Sequence, residues 1–182
     1  MSIEDRTRWE QRHRSANALT ARSAVVALPS AISTGSRALD LACGQGRHSS
    51  ELVRKGYHVV AMDISHHALV HTRERAGGKQ ILPVQADAEA WPFAAAAFDL
   101  IVQVDFLDRA AFPLLHDSLR PGGLLLLDTF LFRGRPNAEG PSTAAYLLSP
   151  NELPREFAAM EILHYEETDE ETARASLLAR KR

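Results

Sequence analysis

The chain alternates short, nearly unbroken apolar runs with stretches whose apolar residues recur at helical spacing. The runs are residues 38–42, 57–62, 81–86, 98–104 and 124–130. Their length and their Val, Leu and Ile content predict strands, and the run 98–104 is as apolar as a central parallel strand should be. Between them, residues 48–55, 66–76 and 109–119 predict helices, the last with Phe112, Leu115 and Leu119 on one face. Ser65 and Asp108 stand at N-cap positions, and Gly56 where a helix should end. Strand alternating with helix predicts an α/β architecture, a doubly wound sheet with helices on both faces. The end of the chain differs. After a short helix over 150–157, residues 162–165 and 173–179 read as two strands around the acidic turn 166–171. Strands that close in sequence pair antiparallel, so the expected sheet is seven-stranded, mostly parallel and closed by a C-terminal antiparallel hairpin.

Three stretches lack this regular pattern. Residues 1–22 are charged and read as one or two surface helices pinned by Trp9, and residues 29–36 are a turn-rich bridge. Residues 132–149 are the longest irregular segment. Loops of that length in small domains are usually functional or disordered. This one leaves the carboxyl end of a central strand, where open α/β sheets bind ligands, and reads as a substrate-side gate.

The glycine turn directs the chemistry. Residues 37–49 read R-A-L-D-L-A-C-G-Q-G-R-H-S, a strand broken by Gly44 and Gly46 and followed at once by a helix. That arrangement brings bare backbone against a nucleotide-like ligand. The dinucleotide pattern G-x-G-x-x-G is incomplete, because its third glycine position is Ser49. Asp63 ends the second strand 17 residues after Gly46, near the offset of about 20 expected for a carboxylate that grips ribose hydroxyls. A carboxylate there would repel a 2′-phosphate.

Composition narrows the classes. With 182 residues, 45% apolar and 24% charged, one globular domain is expected. A formal net charge of −2 with mixed signs argues against a dedicated nucleic-acid or membrane surface. Cys43 is the only cysteine, which excludes an internal disulfide and a cysteine-rich zinc site. His66, His67 and His71 lack a supporting acid cluster, so no metal is expected and these read as solvated helix residues. The polar N-terminus and the short apolar runs predict a cytoplasmic protein.

The segment Asp40-Leu41-Ala42-Cys43-Gly44-Gln45-Gly46 resembles motif I, D/E-x-G-x-G-x-G, of the class I S-adenosylmethionine (SAM) methyltransferases, with Ala42 in place of the first glycine. Phe98-Asp99-Leu100-Ile101-Val102, followed by L-R-P-G-G-L-L-L, is a second and more specific match. Trp9-Glu10-Gln11-Arg12-His13 resembles the W-D-x-R-Y stretch of small members, and residues 87–93 resemble D-A-x-x-L-P-F. The resemblance extends over nearly the whole chain and is closest to the compact tellurite-resistance type. It implies a Rossmann-like single domain over 1–182, with a helical cap at 1–33 and a catalytic core at 34–182.

For the cofactor, SAM, the resemblance implies that backbone at Ala42, Gly44 and Gly46 cradles the methionine end. Asp40 would shape the turn and meet the amino group, and Asp63 would hold the ribose, with Ile64 packing on adenine. Asp87 and Ala88 would bind the adenine edge, and Val104 would lie near the reactive methyl. Trp9, Asp105 and Arg133 are substrate-side candidates; Asp105 and His13 are candidate bases, although Asp105 reads more simply as a turn cap. No catalytic residue is assigned, since methyl transfer needs mainly alignment.

The chain reads V-D-F-L after its fourth strand and carries no appended RNA-binding module. A small-molecule acceptor and a monomer or homodimer are therefore expected, without nucleic acid or membrane. Arg109, Arg133 and Arg135 would favour an anionic acceptor. The alternatives are a nucleic-acid or protein methyltransferase, a catalytically silent SAM-binding protein, and a nicotinamide-dependent reductase. The incomplete glycine pattern and the C-terminal hairpin oppose the reductase.

Overall fold

The computed structural model describes residues 3–14, 20–31, 33–77 and 80–182. Its strands are β1 (Arg37–Leu41), β2 (His58–Asp63), β3 (Ile81–Gln85), β4 (Phe98–Val104), β5 (Leu119–Phe130), β6 (Glu161–Glu167) and β7 (Arg174–Arg180). They form one sheet in the order β3-β2-β1-β4-β5-β7-β6. β1 to β5 run parallel, and β7 is antiparallel to both β5 and β6. The chain winds outward from β1 in both directions, so the strand order reverses between β1 and β4. In such sheets the crevice at that reversal, outside the carboxyl ends of the strands, is the ligand site.

The helices are α1 (Ile3–Arg12), α2 (Ser23–Val26), α3 (Arg47–Arg54), α4 (His66–Arg75), α5 (Phe112–Ser118) and α6 (Glu152–Glu156). Side chains alternate across the sheet, as the two-residue period of a strand requires. Leu39, Leu41, Ile101, Leu125 and Leu127 pack with Phe112 and Leu115 of α5. Ala38, Leu100, Val102 and Leu126 pack on the other face with Val25, Leu52 and Leu69 of α2, α3 and α4. Ser65 caps α4, its hydroxyl accepting from the Ala68 amide at 3.2 Å. Gly56 takes a left-handed φ of 90° just past α3.

The structure departs from the sequence expectations at two places. The helix expected over 109–119 divides into a 3₁₀ turn at Arg109–Ala111, capped by Asp108, followed by α5. Pairing in β5 begins at Leu119, opposite Phe98, rather than at residue 124. The register then shifts, and Pro121-Gly122-Gly123 occupies the irregularity with Gly122 at φ 79°.

Segment 132–149 is tied down. Asn137 donates to the Leu131 carbonyl and accepts from the Ala173 amide, and Leu148 bridges Leu131. Gly140 lies so close to the Phe130 ring that a Cβ would come within 3 Å of three ring carbons. Of the helices expected over 1–22, α1 is present, while residues 1–2 and 15–19 lie outside the described residues.

Candidate functional site

The glycine turn joins the carboxyl end of β1 to α3. Ala42 has φ 54°, Gly44 53° and Gly46 74°, so all three family-motif positions are left-handed. Ala42 therefore stands in a conformation that glycine adopts more cheaply. Gly46 is required for space as well. A Cβ there would sit 2.6 Å from the Thr72 methyl and 2.8 Å from its Cα. Thr72 of α4 also donates to the Gly44 carbonyl at 2.8 Å, which locks the turn to that helix.

Asp63 closes the turn from the neighbouring strand. Its Oδ2 accepts from the Gly44 amide at 2.8 Å and its Oδ1 from the Ser65 amide at 2.9 Å. A carboxylate oxygen has two lone pairs, so each retains room for a hydroxyl donor. Burial raises this carboxyl above the usual carboxylate range, opposed by the amides of Ser65 and Gly44.

The other acid of the motif is placed differently. Asp40 is 1% exposed and accepts from the Ser49 hydroxyl at 2.5 Å. Burial pushes its pKa up to about 7, against the Ser49 hydrogen bonds. It braces α3 from beneath and has no surface to offer a ligand.

Further along the crevice, Ile64 and Ala88 are buried behind the β2 and β3 ends, and Val104 is buried at the β4 end. Gln85 donates to the Ile64 carbonyl at 3.1 Å. Asp87 is half-buried just before the 3₁₀ turn Ala88–Ala90. Trp91 is a packing residue. It joins the apolar core and donates to the Ser118 hydroxyl at 2.9 Å.

The N-terminal segment lies over this crevice. Glu10 of α1 accepts from Ser65 Oγ, from the His66 and His67 amides and from His67 Nδ1, at 2.7–3.2 Å. It thereby supplies the first turn of α4 with acceptors from another helix. Slight burial opposes ionisation, but these hydrogen bonds, that of His67 foremost, lower its pKa to about 2. His13 stacks on Trp9 with ring centroids 5.8 Å apart, and its Cε1 comes to 3.5 Å from where a Gly44 Cβ would stand. Burial lowers the His13 pKa, against the pull of Asp63.

The substrate-side candidates part company. Asp105 follows β4 with φ 57° and meets Arg22 at 3.3 Å, Arg174 at 2.7 Å and Arg47. Burial alone would raise its carboxyl, but Arg174, Arg22 and Arg47 together hold it below the usual range. A carboxylate so paired is a poor base. Arg133 pairs with Glu167 at 2.9 Å and Arg135 with Asp169 at 3.3 Å, both toward the hairpin. Arg109 grips Glu152 at 2.5 and 2.9 Å and also donates to the Ala145 and Leu147 carbonyls. That trio staples the 132–149 segment and α6, and does not gather at the crevice.

Three residues of the site were not singled out from the sequence: Glu10, Thr72 and Arg47. Arg47 follows Gly46 directly, and the helix start after a glycine turn was the signal that could have marked it.

Comparison with known proteins agrees with this geometry. Residues 38–123 match a family described as a methyltransferase domain. The malonyl-(acyl-carrier protein) O-methyltransferase of Enterobacter lignolyticus is 38% identical over 125 residues, covering 66% of this chain and 46% of that protein. The chain thus spans less than half the length of this curated relative. Among solved structures, TehB from Haemophilus influenzae superposes with a TM-score of 0.68 at 25% identity, covering 82% of this chain and 58% of that one. A SAM-dependent methyltransferase from Methanosarcina mazei gives 0.70 at 20% identity, covering 90% and 99%. Residues 38–123 thus carry a methyltransferase domain, and the chain resembles the SAM-dependent methyltransferases, whose cofactor is S-adenosylmethionine.

The residues present fit that cofactor. Among the described residues only His13 approaches the face that Gly44 offers, and Asp63 keeps acceptor capacity beside it. Among the described residues no histidine, cysteine and carboxylate group has the geometry to hold a metal ion.

Proposed function

We propose that this chain transfers a methyl group from SAM to a small-molecule acceptor by in-line displacement. The observation that carries the reading is the hydrogen bond between the Gly44 amide and Asp63. It joins the carboxyl ends of adjacent parallel strands β1 and β2 into one cradle, with backbone on one side and a hydroxyl-accepting carboxylate on the other. When bound, the cofactor supplies an activated methyl on a sulfonium, so the protein's contribution is alignment and exclusion of water.

In this reading Gly44, Gly46 and Ala42 hold the amino-acid end, and Asp63 accepts from the ribose hydroxyls. Ile64, Asp87 and Ala88 frame the adenine, and Val104 faces the methyl. Trp9 and His13 cover the crevice, which makes residues 1–33 a cap on the 34–182 core within a single domain. Asp40 acts indirectly, by fixing α3 through Ser49.

The small-molecule acceptor is supported by the absence of a nucleic-acid grip in the sequence and by a relative named as a ubiquinone biosynthesis O-methyltransferase. Among the described residues no helix is long and apolar enough to cross a membrane. We place the protein in the cytoplasm as a monomer or homodimer.

The test is a screen of small thiols, phenols and carboxylic acids with methyl-labelled SAM, run for wild type and Asp63→Ala. Label transfer to an acceptor that Asp63→Ala abolishes supports the reading. SAM binding without transfer to any acceptor, but with transfer to RNA or protein in an extract, would replace it.

A further inference from the structure

On the α3 face of the sheet, at the ends of β4, β5 and β7, three arginines converge from distant parts of the sequence. Arg22 precedes α2, Arg47 opens α3 and Arg174 opens β7. All three meet Asp105, and Arg174 also pairs with Asp128 of β5. Three guanidiniums thus face two carboxylates, which leaves one positive charge in excess within the cluster. Buried N–H donors are left over as well. Arg22 Nε and Arg174 Nη1 have no hydrogen-bond acceptor among the described residues. Beside them His48, 4% exposed, carries an unpartnered Nε2 and is held uncharged, its pKa lowered to about 3 by burial and then by Arg47.

Buried donors without acceptors and an uncompensated charge are costly unless a ligand completes them. We propose that Arg22, Arg47 and Arg174 form the acceptor's anchoring subsite and that the acceptor carries a carboxylate. This rests on the methyl-transfer reading and adds the substrate class. Guanidinium forks match the two oxygens of a carboxylate. The cluster also lies where an acceptor must approach, beside Asp105 at the end of β4. It adjoins the cofactor's cradle at Arg47, which follows Gly46, and extends away from it to Arg174 on β7, three strands from β1 at about 4.8 Å per strand. Arg22 is the entrance residue, with 38% of its side chain exposed against 12% for Arg174. The arginines that the sequence suggested for this role, Arg109, Arg133 and Arg135, are paired elsewhere.

The probe is succinate, titrated by calorimetry into protein saturated with S-adenosylhomocysteine, with uncharged succinamide as the control. Wild type should bind succinate saturably, more weakly as salt rises, and should not bind succinamide. Arg22→Gln should weaken succinate at least tenfold and keep S-adenosylhomocysteine binding. Arg54→Gln, at the exposed end of α3, should change nothing. Absence of saturable succinate binding to the loaded wild-type protein would overturn the proposal, and this arm needs no variant to fold. Competition between succinate and S-adenosylhomocysteine would also overturn it, by giving the cluster to the cofactor's own carboxylate. Failure of S-adenosylhomocysteine itself to bind would overturn both this proposal and the methyl-transfer reading.

Discussion

Replacing Ala42 by glycine should leave the protein about as stable as before or slightly more so, although the same change elsewhere in the sheet is damaging. Ala42 has φ 54°, a left-handed conformation that costs a residue with a Cβ about 1–2 kcal/mol. Glycine removes that cost but raises the entropy of the unfolded chain, a loss of about 0.5–1 kcal/mol. The Ala42 methyl is half-buried, so deleting it forfeits about 0.4 kcal/mol, half the value of a buried methylene. The balance lies between about 0.4 kcal/mol against glycine and about 1.1 kcal/mol in its favour.

Ala61 is the control. It is fully buried in the middle of β2 with ordinary backbone geometry, and Ala61→Gly should cost about 1.5 kcal/mol through lost burial and added entropy. Urea unfolding of the two variants side by side reads the difference directly. A loss of more than about 1 kcal/mol in Ala42→Gly would refute the strain argument, as would equal losses in both.

Gly46→Ala should cost about 2–5 kcal/mol, from left-handed strain at φ 74° and from the collision with the Thr72 backbone and methyl. Thermal unfolding checks it, and a variant within about 1 kcal/mol of wild type would contradict the packing. Glu10 has a pKa of about 2, below its ordinary 4.5, so its contribution is present above about pH 4.5 and is lost as pH falls from there toward 2. Hydrogen exchange in α1 should therefore accelerate across that window in wild type, while Glu10→Gln should exchange fast already at pH 6. Arg109→Ala should loosen segment 132–149 and α6, seen as faster proteolysis at 133–146, because it breaks the Glu152 pair and two carbonyl contacts at once.

Much of this architecture was legible because parallel strands must be apolar on both faces. The five runs marked β1 to β5, although β5 begins at Leu119, ahead of its run, and two strands separated by a short acidic turn had to pair antiparallel. Glycine at 44 and 46, with an acid ending the next strand, likewise pointed to the proposed cradle. Close backbone approach and ribose recognition demand particular residue types at particular offsets.

What could not be read was long-range pairing. Arg109, Arg133 and Arg135 look alike in sequence to Arg22, Arg47 and Arg174, and only the fold decides which three meet at the sheet edge. Glu10 looked like one surface charge among several until α1 was seen to dock on the first turn of α4. Leu119 was hidden as a strand residue by the Pro-Gly-Gly that follows it, since a bulge and a turn have the same composition.

The central claim is that Asp63 and the glycine turn hold an adenosyl cofactor. Calorimetric titration with SAM, S-adenosylhomocysteine and NAD, in wild type and Asp63→Ala, tests it most directly. The account predicts binding of both adenosyl ligands and none of NAD, with Asp63→Ala weaker by roughly tenfold to hundredfold for the loss of hydrogen bonds to a charged acceptor. NAD binding, or adenosyl binding indifferent to Asp63→Ala, would contradict it.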